Sequence, residues 1–167
     1  MPIVISLLVI FADRLSKTAI HRSMSVFDSV PLIPGWLRIV HTENPGAAFG
    51  FMAEGNPILR TAVLVGVSAV VLLFVASALW GRQSTFTAAG SRLALALILG
   101  GAAGNLYDRI AHGTVTDFIE VYHGTWSFPA FNVADSAITV GAVLLLVGLL
   151  HNREKRIEKG IELAQKP

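Results

Sequence analysis

The chain has 167 residues, 53% of them hydrophobic and only 14% charged, with a net charge of +2. Soluble domains have nearer a quarter of their residues charged, so this composition argues against a water-soluble enzyme and for one compact unit built for lipid. No cysteine is present, which excludes disulfides and thiol chemistry, and the net positive charge comes from a basic tail rather than a nucleic-acid surface, so no nucleic-acid partner is expected.

About 20 apolar residues cross a bilayer. Four stretches approach that length and predict helices at about 2–20, 58–80, 93–110 and 133–150. The first has an apolar run at 3–12 that meets Asp13, with Lys17 one turn on. It lacks a basic n-region and a small-residue cleavage site, so it reads as a retained helix rather than a signal peptide. The segment 21–57 leaves helical periodicity. Pro31, Pro34 and Gly35 punctuate it, and "WLRIVHT" alternates with β-branched residues, so short strands are expected. The "ENPGAAFGF" stretch opens as a turn at Asn44-Pro45-Gly46. Such a sheet either cradles an apolar ligand at the membrane surface or simply covers the bundle as a connecting hairpin.

The second apolar stretch is charge-free over 61–80. The third, "LALALILGGAAGNLYDRI", carries Gly100 and Gly104 four apart, a spacing that lets membrane helices approach closely. Gly101, Gly104, Asn105 and Asp108 fall on one helical stripe, which puts an amide and an acid against neighbouring protein. Arg109 follows at the helix end. In the segment 111–132, Asp117 alone reads as a solvated loop acid, and Trp126 and Phe128 as interfacial anchors. His41, His112 and His123 lack metal-ligand spacing and read as interfacial polar residues, so neither metal nor cofactor is expected. In "FNVADSAITVG" (131–141), Asn132 followed three residues later by Asp135 suits a helix cap as well as a functional site. Taken alone, the cap is the stronger reading.

Lysine and arginine counts divide almost evenly between the two sides. Several on one side, however, lie beside Asp13, Glu43 and Asp108, where they are paired rather than loop charges. The positive-inside rule then places the 81–92 loop and the basic tail 151–167 in the cytoplasm, where Arg153, Lys155, Arg156 and Lys159 meet anionic lipid headgroups. Four spans put both termini in the cytoplasm and gather Asp13, Lys17, Asn44, Asn105, Asp108, Arg109, Asp117, Asn132 and Asp135 at the outer boundary.

Read together, "DRLSK" (13–17), "NPGAAF" (44–49), "GGAAGNLYDR" (100–109), "VTDF" (115–118) and "FNVADSAITVG" closely resemble lipoprotein signal peptidase, or signal peptidase II, the aspartic peptidase family of the bacterial inner membrane. The resemblance covers nearly the whole chain up to Leu150. It implies a membrane protein of four transmembrane helices with a small outward-facing β-cradle, in a single domain. It further implies an endopeptidase that removes the signal peptide from diacylglyceryl-modified prolipoproteins, cleaving before the lipidated cysteine, and that globomycin-type peptides inhibit. By motif, Asp117 and Asp135 are then the catalytic pair, and Asn105, Arg109, Asn44 and Asn132 line the substrate site. Asp13 and Lys17, with Asp108 beside them, support the site. Arg14 stands where the family often has glutamine.

Peptide hydrolysis without a metal or nucleophilic side chain needs a base to activate water and an acid for the leaving amine. Two close carboxyl groups sharing one proton supply both. A small transporter with proton-relay acids is the rival reading, but it predicts midplane polar residues and internal repeats. The second stretch offers only Ser68 and Ser77, and no repeat is visible.

Overall fold

Helix α1 (Pro2–Ser23) opens on a proline in its first turn, where a missing N–H leaves no hydrogen bond unmade, and closes with His21 and Arg22 against its carbonyl end. In a computed structural model that describes residues 1–46, 56–80 and 89–164, it is followed by β1 (Ser29–Ile33), β2 (Leu37–Asn44), α2 (Pro57–Trp80), α3 (Ala89–His112), β3 (Val115–His123), β4 (Trp126–Ser127) and α4 (Val133–Ala164). Ala47, Ala48 and Phe49 of the "NPGAAF" motif, together with Arg82 and Lys166, lie outside the described residues.

The fold is thus helical with a small antiparallel sheet. Two differences from expectation concern the ends of helices. The connection 111–132 is not a loop, because β3 and β4 occupy much of it. Val115 to Tyr122 is rich in β-branched and aromatic residues, which favour a pleated, half-buried strand. The stretch 151–164, expected as a tail beyond the last helix, continues α4. Its Glu, Lys, Arg and Leu are strong helix formers, so charge ends the apolar run without ending the helix.

The sheet order is β1-β2-β3-β4, each strand antiparallel to its neighbour. Gly35 (φ 82) turns the β1–β2 hairpin, and Gly113 (φ 77) stops α3 in the left-handed conformation, its N–H returning to the Arg109 carbonyl. The β2–β3 register sets Thr42 opposite Asp117, Glu43 opposite Thr116 and Asn44 opposite Val115. Side chains alternate across a strand. Thr42, Asn44 and Asp117 therefore share one face of the sheet, and Glu43 and Thr116 share the other.

Helix α3 is the hub, touching α1, α2 and α4. Val75 and Leu79 of α2 pack on Leu95 of α3, joined by Ile98, Leu99 and Leu145. Elsewhere the seams are lined by small residues, with Ala94, Ala96 and Ala134 fully buried. The outward faces are apolar: Leu7, Phe11, Leu73, Phe74 and Leu146 are all exposed. Such broad apolar exposure is foreign to a monomer in water. Two helical stretches, Pro57–Trp80 and Val133–His151, are long and apolar enough to cross a membrane.

Glycine makes the close seams possible. A Cβ on Gly100 would stand 2.8 Å from the Ser6 carbonyl oxygen of α1, and one on Gly101 only 2.4 Å from the Ala134 carbonyl oxygen of α4. Gly101→Ala is therefore expected to lower stability by about 1–3 kcal/mol, as overpacking does. Gly66→Ala, where an added Cβ meets nothing within 4 Å, should be neutral or slightly stabilising. Thermal unfolding of the two variants in detergent tests the pair, and equal midpoints would show that the α3–α4 seam is not tightly packed at Gly101.

Candidate active site

Four chain segments converge at the end of the bundle that carries the sheet: the end of β2, the C-terminal part of α3, the start of β3 and the N-terminus of α4. Asp117 is buried and accepts hydrogen bonds at both carboxylate oxygens, from Asn132 Nδ2 (2.8 Å) and Asn44 Nδ2 (3.0 Å). Asp135 accepts from Asn105 Nδ2 (2.7 Å) and from the backbone N–H of Asn132 (3.2 Å). In return, Asn132 Oδ1 accepts the Asp135 backbone N–H at 2.9 Å. That reciprocal pair is a capping box in form. Asp135 is therefore both cap and site residue, and the two readings of its sequence are compatible.

Asparagine suits this role because its amide donates to a carboxylate without adding charge. Asn132 bonds Asp117 and also reaches Asn105 Oδ1 (3.4 Å), so one buried amide links the surroundings of both acids. Burial pushes the Asp117 carboxyl up to about 7. The Asn44 hydrogen bond opposes this shift, while the nearby Asp135 charge adds to it.

Both acids line one cavity of about 870 Å³ with Asn44, Asn105 and Arg109. Its remaining wall is largely apolar, with Val40, Val67, Val71, Phe128, Phe131 and Ile138 among its lining residues. A mostly apolar cavity with a few convergent polar groups is the form of a ligand site. Arg109 donates weakly to the carbonyls of Asn105 (3.3 Å) and Gly46 (3.4 Å). Its Nε makes no hydrogen bond among the described residues.

Behind the cavity lies a charged cluster. Lys17, only 1% exposed, donates to Asp13 Oδ2 (2.7 Å), Asp108 Oδ2 (2.7 Å) and Asn105 Oδ1 (3.1 Å). Asp13 Oδ1 accepts the backbone N–H of Ala134 at 3.0 Å, satisfying one open donor of the first turn of α4. The cluster therefore fixes Asn105 from behind and the start of α4 from the side.

The structure thus brings Asn44, Asn105, Arg109, Asp117 and Asp135 around one cavity. Asn132, expected to line it, is instead fully buried and bonded to both acids, and Lys17 ties Asp13 and Asp108 to Asn105. Arg14, given no role in the site by the sequence, pairs with Asp108 and lies over the Tyr107 ring at 4.3 Å. Its place next to Asp13 was the available signal. Ser136 and Thr139 also line the cavity. His41 is not interfacial but buried, and with His21 and Glu43 it forms a group whose ligand-type atoms lie within 4.8 Å of one another.

The family profile for Signal peptidase (SPase) II matches residues 5–151. The lipoprotein signal peptidase of Solibacter usitatus is 43% identical over 152 residues, spanning 91% of this chain and 90% of that one. That of Alteromonas mediterranea is 39% identical over 158 residues, 93% of this chain and 83% of its own. Among solved structures, a bacterial membrane enzyme determined in meso at 2.3 Å superposes with a TM-score of 0.81 at 29% identity, covering 92% of this chain and 90% of that one. A second, at 1.9 Å resolution, gives a TM-score of 0.75 at 30% identity, with coverage of 89% and 92%. The motif resemblance is borne out, and the chain belongs to the signal peptidase II family of bacterial membrane aspartic peptidases.

Proposed function

We propose that this chain removes signal peptides from diacylglyceryl-modified prolipoproteins, with Asp117 and Asp135 as the catalytic pair. The observation that carries the reading is the convergence of two carboxylates, each held by asparagine amides, on one apolar-walled cavity. The pair shares one proton, and burial favours its residence on Asp117. The ionised carboxylate takes a proton from water as the oxygen attacks the scissile carbonyl carbon, and the protonated carboxyl donates to the carbonyl oxygen. Collapse of the tetrahedral intermediate breaks the C–N bond, and the departing cysteine amine takes a proton from the pair. Arg109 turns its unused donors toward the substrate backbone. Family membership lends nothing to the transporter reading.

In this proposal all four helices cross the inner membrane, with both termini cytoplasmic and the sheet and cavity at the periplasmic face. The diacylglycerol chains stay in the bilayer against exposed apolar faces, and globomycin-type peptides compete for the cavity. A reporter fused at Gly124 should read as periplasmic and one after His151 as cytoplasmic, and the reverse result would invert the topology.

Substrate choice follows from the same arrangement. Lipidated prolipoprotein should be cleaved at least about tenfold faster than the unmodified precursor, because acyl chains concentrate it in the membrane. Arg109→Lys should lose much of that rate, since an ammonium cannot reproduce a planar fork of donors. A gel-shift assay with purified protein measures both. Equal rates on the two precursors would sink the substrate assignment.

A further inference from the structure

The face of the sheet turned away from the aspartate pair carries a second cluster. Glu43 of β2 accepts hydrogen bonds from Thr114 Oγ1 at Oε2 (2.7 Å) and from Thr116 Oγ1 at Oε1 (3.1 Å). His41, buried on the same strand, sets Nε2 3.2 Å from Glu43 Oε1 and Nδ1 2.9 Å from the Met24 carbonyl oxygen. His21, from the last turn of α1, brings Nε2 to 3.8 Å from Glu43 Oε1 and 2.9 Å from Thr116 Oγ1. The two imidazoles meet edge to face with centroids 4.9 Å apart.

The proton count around His41 does not close with a neutral ring. The Met24 carbonyl only accepts, and the two threonine hydroxyls already aim their donors at Glu43. A neutral imidazole has one N–H. Either Nδ1 or Nε2 therefore sets a lone pair against a lone pair unless something positive lies between His41 and Glu43.

We propose that His21 Nε2, His41 Nε2 and Glu43 Oε1 bind a divalent metal ion of the zinc class. Two imidazoles and one carboxylate are an established ligand set for zinc, with a fourth position left for water. Metal–ligand distances of about 2.0–2.1 Å put tetrahedral ligands roughly 3.3 Å apart. The contacts of 3.2 and 3.8 Å to Glu43 bracket that spacing. The outer partners fit too. A ligating histidine commonly donates its other N–H to a backbone carbonyl, and a ligating carboxylate is itself hydrogen-bonded, as His41 is to Met24 and Glu43 to Thr114 and Thr116. The His21 side chain is 48% exposed, which gives an entry path and a water position.

Bound there, the ion ties the end of α1 to β2, and through Thr116 to the strand that carries Asp117. It takes no part in the hydrolysis, which lies on the opposite face.

The test uses the full-length, tag-free chain in detergent, stripped with a chelator and dialysed against zinc chloride. One zinc per chain is expected. His21→Gln and Glu43→Gln should each weaken binding at least about tenfold, while His123→Gln, an exposed histidine outside the cluster, should bind as wild type. Cobalt chloride in place of zinc should give the visible absorption of a tetrahedral nitrogen–oxygen site, lost in His21→Gln. Circular dichroism checks that the variants fold, and His21→Gln alters only a half-exposed side chain. The absence of saturable zinc binding would overturn the proposal. Stoichiometric binding unaffected by His21→Gln would overturn it equally.

Discussion

Asp117→Asn and Asp135→Asn are each expected to reduce prolipoprotein cleavage by about 10³-fold or more, at the upper end of what general acid–base groups contribute, while the protein stays folded. Asp135→Asn retains a side-chain oxygen for the Asn132 N–H, and asparagine caps about as well as aspartate. Its loss of the Asn105 contact is worth about 1 kcal/mol. In Asp117→Asn one of the two asparagine donors loses its acceptor, but a charge that burial disfavours is also gone. Thermal unfolding with a gel-shift assay separates the two effects. A folded Asp135→Asn protein with near wild-type turnover would leave that residue as a cap only.

The pH profile gives an independent reading of the same pair. The Asp117 carboxyl is raised from 3.8 to about 7 by burial first, with the Asp135 charge adding to it. Between those values the folded chain holds a proton that the unfolded chain has released, so this group's contribution to stability falls as pH rises through that window. Activity should form a bell whose alkaline limb lies near pH 7, where the pair loses its last proton, with an acid limb where it gains a second. Turnover still rising at about pH 9 would contradict a shared proton.

The second large effect is on stability. Lys17→Met should destabilise the fold by about 3–5 kcal/mol, because it leaves Asp13 buried without the ammonium that bonds it and Asp108 with Arg14 alone. Adding Asp13→Asn should recover part of the loss. It removes the uncompensated charge while keeping an oxygen for the Ala134 N–H. Melting curves in detergent for the single and double variants measure this. A Lys17→Met protein that melts with the wild type would show that the cluster is not a support.

The apolar runs, the stripe of Gly101, Gly104, Asn105 and Asp108, and the strand pattern around "WLRIVHT" were legible because each depends on local periodicity. The two aspartates were legible only as members of an ordered set of motifs, since a lone loop acid and a lone cap look alike in any sequence. Strand β3 was missed because "VTDFIEVYH" shows no clean apolar–polar alternation and its pairing partner lies more than seventy positions earlier. The pairing of Arg14 with Asp108 was not legible because the two come from different helices. The grouping of His21, His41 and Glu43 was beyond local reading for a further reason. Two of the three are two apart on a strand, a spacing that no helical metal motif uses, and the third arrives from α1.

Asp13 closes the first turn of α4 across a separation of 121 positions. Chains emerge from the ribosome at about 5–20 residues per second, so roughly 6–24 s of synthesis separate the two halves of that one hydrogen bond. During that interval Asp13, Lys17 and Asp108 can already associate, but Asn132 and Asp135 do not yet exist, and Asp117 has neither its partner acid nor its linking amide. The proposed catalytic pair is completed only once the start of α4 has been made. On the proposed assignment, a chain still lacking α4 has no means of cutting the substrates that pass through the same membrane.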